Sequence, residues 1–196
     1  MSEELTSYHG NPLLKSAGVA HNFTQEELDE YLKCSNDHVY FIENYIKIVH
    51  VDLGIIPFDL YDFQQKMVNT IHDNRFSIFC PPRQVGKSTT VVSYFLWYVL
   101  FNEDVNIAIL ANKGSLARDI LSRLQLAYEN LPKFLQQGVL IWNKGNIELE
   151  NGSKIIASST SSSAIRGGSY NMILLDEFAF VPPNIADEFM SSVYPT

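Results

Sequence analysis

The chain has 196 residues, 46% of them hydrophobic, enough for one sizeable core, and it carries a net charge of −8. That acidity excludes a protein that grips nucleic acid over its whole surface, so any DNA contact must be local. Two cysteines, Cys34 and Cys80, have neither a metal-binding spacing nor the pattern of a disulfide framework, which suits a reducing compartment. Cys80, beside a loop discussed below, is expected to be a small buried strand residue rather than a reactive thiol. The start Met1-Ser-Glu-Glu-Leu5 has no basic or apolar leader, and the longest apolar run, 91–101, is interrupted by Ser93. A membrane span needs ~20 such residues, so a soluble intracellular protein with no membrane partner is expected.

In chain order, residues 1–22 are polar and turn-rich, with Gly10-Asn-Pro12 as a breaker, and are expected to be flexible. Thr24 is a good N-cap, followed by Glu26 and Glu27 in the first turn of a helix. A second helix is predicted from Asn36 to about Val49, so that residues 23–54 form a small helical N-terminal or lid subdomain. Residues 55–196 form the main domain. Within it Tyr61 to Asn74 is a predicted helix, Phe76 to Cys80 a strand, and Lys87 to Phe101 a long apolar helix. A strand over 105–110 precedes a helix over 116–130. Strands follow at 139–142, 147–149 and 154–157, with Glu150-Asn-Gly-Ser153 as a hairpin turn. Ser158 to Ser163 is either a flexible loop or a phosphate-side or partner-facing one. Met172-Ile-Leu-Leu175, wholly apolar, is expected at the buried centre of a parallel sheet. Strands alternating with helices predict an α/β sandwich, a mostly parallel sheet flanked by helices, with ligands at the strands' carboxyl ends.

Two motifs carry chemistry. Gly86-Lys87-Ser88-Thr89 opens the apolar helix after an expected strand, the arrangement by which many proteins cradle nucleotide phosphates. Gly86 lets the backbone approach phosphate oxygens, Lys87 supplies charge to the β- and γ-phosphates, and the Ser88 hydroxyl is placed for Mg²⁺. The pattern is incomplete, since Pro81 stands where the first glycine of G-x-x-x-x-G-K-[ST] belongs. Candidate nucleotide contacts are therefore Pro82, Arg83, Gln84, Val85, Gly86, Lys87, Ser88 and Thr89. The second motif, Met172-Ile-Leu-Leu-Asp-Glu177, puts two carboxylates at a strand tip. Asp176 is a candidate to share the Mg²⁺, and Glu177 to orient or deprotonate water. Arg83 either offsets γ-phosphate charge as an arginine finger in cis or is a surface cation. Gln64, in Phe63-Gln-Gln-Lys66, either reads the N6/N7 edge of adenine with its amide or is an exposed helix residue.

The loop Pro82-Arg-Gln-Val-Gly-Lys-Ser-Thr89 resembles the ATPase motor of tailed-phage large terminases, those of large contractile-tailed phages above all. The resemblance extends through Tyr61-Asp-Phe-Gln-Gln-Lys-Met67, Ala164-Ile-Arg-Gly167 and Leu174-Leu-Asp-Glu-Phe-Ala-Phe-Val-Pro182. It implies a P-loop NTPase fold of ASCE (RecA-like) type, with ATP and Mg²⁺ as ligands. It further implies Gln64 on adenine, Arg83 as a cis finger, Lys87 and Ser88 on phosphate and metal, Asp176 completing the metal site and Glu177 activating water. Arg166 falls in a segment that faces a neighbouring subunit's nucleotide in that family, or else it stabilises a turn. The implied partners are duplex viral DNA, a portal protein, a small terminase subunit and further copies in a ring, in the host cytoplasm. The family's coupling motif and nuclease domain have no counterpart up to Thr196, so DNA cleavage is not expected of these residues. The two motifs alone also allow a helicase-like nucleic-acid-dependent ATPase, or a module that binds nucleotide without hydrolysing it.

Overall fold

The structure, a computed structural model, describes residues 6–50, 52–160 and 168–193. The first described residues are not loose, contrary to expectation. β1 (Ser7–Tyr8) and β2 (Asn11–Lys15) form a small antiparallel hairpin, and Leu14 is buried. What holds it is polar and distant in sequence. The Lys15 amide donates to Gln136 Oε1 at 3.0 Å, Gln136 Nε2 donates to the Leu13 carbonyl at 2.9 Å, and the Gly18 amide donates to Glu150 Oε2 at 2.8 Å.

α1 (Gln25–Asn36) starts on the expected cap: Thr24 Oγ1 accepts from the Glu27 amide at 3.2 Å, and Glu27 Oε2 accepts from the Thr24 amide at 2.9 Å. The next helix, α2 (His38–Tyr45), is shorter than predicted. Ile46, Ile48 and Val49 are β-branched, and the chain leaves the helix at Ile46 to pair β3 (Lys47–His50) with β4 (Gly54–Pro57). The expected domain boundary at 54/55 therefore cuts a hairpin. Nor do the N-terminal helices form a separate body. Phe41, Ile42 and Cys34 belong to the same buried cluster as the central helix, and Trp97 Nε1 donates to the Cys34 carbonyl at 2.8 Å.

α3 (Asp62–Asp73) leads to α4 (Lys87–Phe101), which is buried almost all round, as its continuous apolar sequence demands. β5 (Asn106–Ala111) and α5 (Gly114–Glu129) follow, then β6 (Val139–Trp142), β7 (Asn146–Leu149), β8 (Lys154–Ser159), β9 (Met172–Asp176) and α6 (Pro183–Val193). The five-stranded sheet runs β6-β7-β8-β5-β9. Its β8–β5–β9 part is parallel, while β6 and β7 are added antiparallel through the turn at 150–153. The two faces of β5 alternate: Ile107, Ile109 and Ala111 join the large core with α4 and α5, while Ala108 and Leu110 pack with Phe189 of α6. Helices thus cover both faces of a mixed sheet.

One expected strand is missing. Residues 76–80 lie outside every described sheet, with Ile78 92% exposed, and Cys80 is exposed rather than buried. Apolar composition suits a strand, but the ladder needs a neighbour, and among the described residues β9 pairs with β5 alone. Pro81 and Pro82 then remove two donors in succession.

Candidate functional site

The site forms where α4 begins. Gly86 is the N-cap of α4 in the left-handed region, φ 80°, a conformation that costs glycine nothing. Gln84, two residues earlier, is also left-handed at φ 63°. This double reversal turns the chain 81–86 sharply into the helix. The first intrahelical bond is Thr90 amide to Gly86 carbonyl at 2.9 Å, so the amides of Lys87, Ser88 and Thr89 are left at the open helix end. Those amides and the helix dipole favour an anion there.

Gln64 braces this turn from below. It is 2% exposed; its Oε1 accepts from the Tyr61 amide at 3.0 Å, and its Nε2 donates to the Val85 carbonyl at 3.0 Å. A Cβ on residue 86 would lie 2.9 Å from Gln64 Nε2, so the absence of a side chain at Gly86 makes room for the brace. The carboxamide expected to face adenine is thus engaged with backbone on both sides, and it is not an exposed helix residue. Beside it, the exposed rings of Tyr61 and Phe63 stack with centroids 5.9 Å apart and planes 11° from parallel. That aromatic pair was not singled out from sequence, although its i, i+2 spacing around a helix start was visible.

The second motif arrives from the sheet. β9 ends at Asp176, paired in register with Ala111 of β5, so the carboxylate stands at the sheet's carboxyl edge. Asp176 Oδ1 lies 3.0 Å from Lys87 Nζ. Residues about ninety apart in sequence therefore meet in one ion pair. The Asp176 side chain is 15% exposed and that of Lys87 41%, so the pair opens to solvent on the lysine side. Glu177 departs from the strand in the left-handed region, φ 52°, and is exposed. For a residue with a side chain this conformation costs about 1 kcal/mol or more, and it swings the carboxylate out of the strand's alternation.

Ser88 and Thr89 occupy the first turn of α4. Thr89 Oγ1 accepts from Arg123 of α5 at 3.3 Å, and Arg123 also pairs with Asp119 at 3.0 Å. Arg123 had no sequence signal, because only the packing of α4 on α5 brings it here. Arg83 and Gln84 are exposed at the tip of the loop together with Pro82, and Val85 is half-buried beneath them. Arg166 lies outside the described residues. The structure thus brings Gln64, Val85, Gly86, Lys87, Ser88, Thr89 and Asp176 into one place, with Arg83 and Glu177 exposed at its margins.

The donor set fits a small hard cation held jointly with phosphate. Ser88 and Asp176 offer oxygen, and Asp176 already faces one positive group, the Lys87 ammonium. Among the described residues no cluster of three or more His, Cys, Asp or Glu side chains forms an all-protein metal cage. No described helix is long and apolar enough to cross a membrane.

Comparison with known proteins bears on the family and the fold. The model of the family described as terminase large subunit, T4likevirus-type, N-terminal, matches residues 78–192. Among solved structures, the chain superimposes on the large terminase of bacteriophage HK97 with a TM-score of 0.65 at 20% identity. The superposition covers 83% of this chain but 35% of the HK97 chain, so the chain spans about a third of that protein's length. At that identity the likeness speaks for fold.

Proposed function

This chain belongs to the T4-like-virus-type terminase large-subunit family, and we propose that it is an ATPase segment whose hydrolysis drives duplex viral DNA into a procapsid. The observation that carries the reading is the 3.0 Å contact between Lys87 and Asp176, which joins the helix-start loop to the strand-end carboxylates. A helix end that favours an anion stands here beside an ion pair open to solvent on its lysine side. It suits a magnesium triphosphate, which brings negative oxygens for Lys87 and a cation for Asp176.

In this reading the amides of residues 86–89 and Lys87 hold the phosphates. Ser88 and Asp176 would hold magnesium, which would supply positive charge against the phosphates. Gln64 keeps the loop in shape, and Tyr61 with Phe63 offers a stacking face for adenine. An adenine-edge role for Gln64 would exchange its bonds to Tyr61 and Val85 for bonds to the base. Glu177 orients a water and accepts its proton as the water oxygen bonds to the γ-phosphorus. The β–γ bridging bond breaks at the same time, its electron pair leaving on the β-phosphate oxygen of ADP. Arg83 reaches over the γ-phosphate from the loop tip, and Arg166 is assigned to a neighbouring subunit's nucleotide. The working form is a ring of copies on a portal protein, in the host cytoplasm, with a small terminase subunit delivering DNA. DNA cleavage is not assigned to these residues.

The test is a titration with magnesium ATP together with a phosphate-release assay. Lys87→Ala is expected to lose tight nucleotide binding, while Glu177→Gln keeps binding and loses turnover about a hundredfold or more. A Glu177→Gln chain that hydrolyses ATP at the unaltered rate refutes the assignment. Binding by the unaltered chain without phosphate release would identify a nucleotide-binding module instead.

A further inference from the structure

Two buried polar side-chain atoms have no hydrogen-bond partner among the described residues, Asn112 Oδ1 and Thr160 Oγ1. None of the roles assigned above uses either residue. They are neighbours by register. Ala111 of β5 pairs with Ser159 of β8 on one side and with Asp176 of β9 on the other. Thr160 and Asn112 therefore stand side by side, one step past the carboxyl ends of β8 and β5, while Glu177 follows the end of β9, the other neighbour of β5, and there turns out of the strand. The ladder continues this far, since the Thr160 amide donates to the Ala111 carbonyl at 2.7 Å. Thr160 is 8% exposed, so its hydroxyl is largely cut off from bulk solvent.

Buried polar atoms in folded proteins are nearly always satisfied, if not by protein then by an ordered water. The chemistry of this pair selects the partner. An amide oxygen only accepts, so a phosphate oxygen, which is also an acceptor, cannot satisfy Asn112 Oδ1. A water can donate to Asn112 Oδ1 and exchange a second hydrogen bond with the Thr160 hydroxyl, which both donates and accepts. Its remaining bonds are then available to a group arriving from the neighbouring end of β9, where Glu177 follows Asp176. An apolar group would leave both atoms unmatched.

We propose that Asn112 and Thr160 hold a water at the sheet's mouth next to Glu177, as positioning residues for the nucleophile. The inference rests on the ATPase reading for its function but not for the water itself. Asn112 and Thr160 fix where the water sits; Glu177 takes its proton. The dependence on geometry is steep, because a nucleophile displaced by about 1 Å can lose on the order of a hundredfold in rate.

A crystal structure of the full chain that resolves waters tests the site directly. One ordered water is expected within about 3.2 Å of both Asn112 Oδ1 and Thr160 Oγ1. No water there, or a direct bond between the two side chains, overturns the proposal. Kinetics test the function, with Asn112→Leu and Thr160→Val as near-isosteric changes that remove the polar atoms. Each is expected to lower kcat about tenfold to a hundredfold while the affinity for a magnesium-bound, non-hydrolysable ATP analogue stays within about twofold. Asn112→Asp, which keeps an acceptor in place, is expected to recover part of the rate. If the unaltered chain hydrolyses ATP and both variants match it in kcat, the proposal fails while the ATPase reading stands. If the unaltered chain does not hydrolyse ATP at all, the ATPase reading fails and the crystallographic water alone decides this site.

Discussion

The two flanks of β5 are built to different standards. On the β8 side the sheet continues through two more strands, and Asn151 in the connecting turn donates to the carbonyls of Val99 and Asn102 at 2.8 and 2.9 Å. On the β9 side no further strand follows among the described residues, and all five residues of β9 are only half-buried, whereas five of the six in β5 are buried. Both proposed catalytic carboxylates, Asp176 and Glu177, hang from the less supported flank. The contrast separates two duties: the β5–β8 flank holds the fold, and the β9 flank carries the groups proposed to meet a ligand and change partners.

Substitutions can break that separation or sharpen it. Ile109→Ala, in the fully buried middle of β5, is expected to destabilise by about 2–5 kcal/mol, read from a urea transition. A loss below about 1 kcal/mol would mean that β5 is not the anchor. Lys87→Ala should do the reverse, abolishing tight ATP binding in calorimetry while moving the urea midpoint less than Ile109→Ala does. If it unfolds the chain, the site and the scaffold are not separable. Gln136→Ala removes the amide that bonds Leu13, Lys15, Tyr128 and Leu131, and should cost about 1–3 kcal/mol. It should also expose residues 7–18 to early amide exchange, leaving nucleotide affinity unchanged. Thr24→Ala, at the cap of α1, should cost about 1 kcal/mol and touch neither flank.

A pH effect is smaller still and lies away from both flanks. His38 stacks on His72 with ring centroids 4.5 Å apart, and burial lowers its pKa below the ordinary 6.5. The Asn69 hydrogen bond opposes that shift, and the His72 ring reinforces it. Below pH 6.5 the unfolded chain therefore takes up a proton at His38 before the folded one does, so stability is full above that pH and declines as pH falls through the interval beneath it. Urea midpoints across this range should slope, and His38→Asn should flatten the slope.

Much of the site was legible in the sequence because its signals are local. Gly86-Lys87-Ser88 announces a helix start, four apolar residues before Asp176 announce a buried strand end, and Lys87 to Phe101 reads as one long apolar helix. What escaped depends on partners far away in the chain. The hairpin at 7–15 looks like a polar tail until Gln136 and Glu150 are placed against it. Residues 76–80 have the composition of a strand, yet belonging to a sheet is a property of neighbours. Ile46 to Val49 could extend a helix or open a hairpin, and pairing with 54–57 decided it. Asn112 and Thr160 are ordinary residues in the sequence, and only the register of β5 with β8 sets them side by side.

The left-handed backbone at Glu177 sets the protein's interests against each other at one position. Glycine there would relax the chain, and Glu177→Gly should fold at least as well as the original, by up to about 1 kcal/mol. It would also delete the carboxylate. A screen that selects only for thermal resistance would therefore be drawn toward a sturdier chain without this carboxylate, and, on the proposed ATPase reading, keeping Glu177 requires selection on turnover.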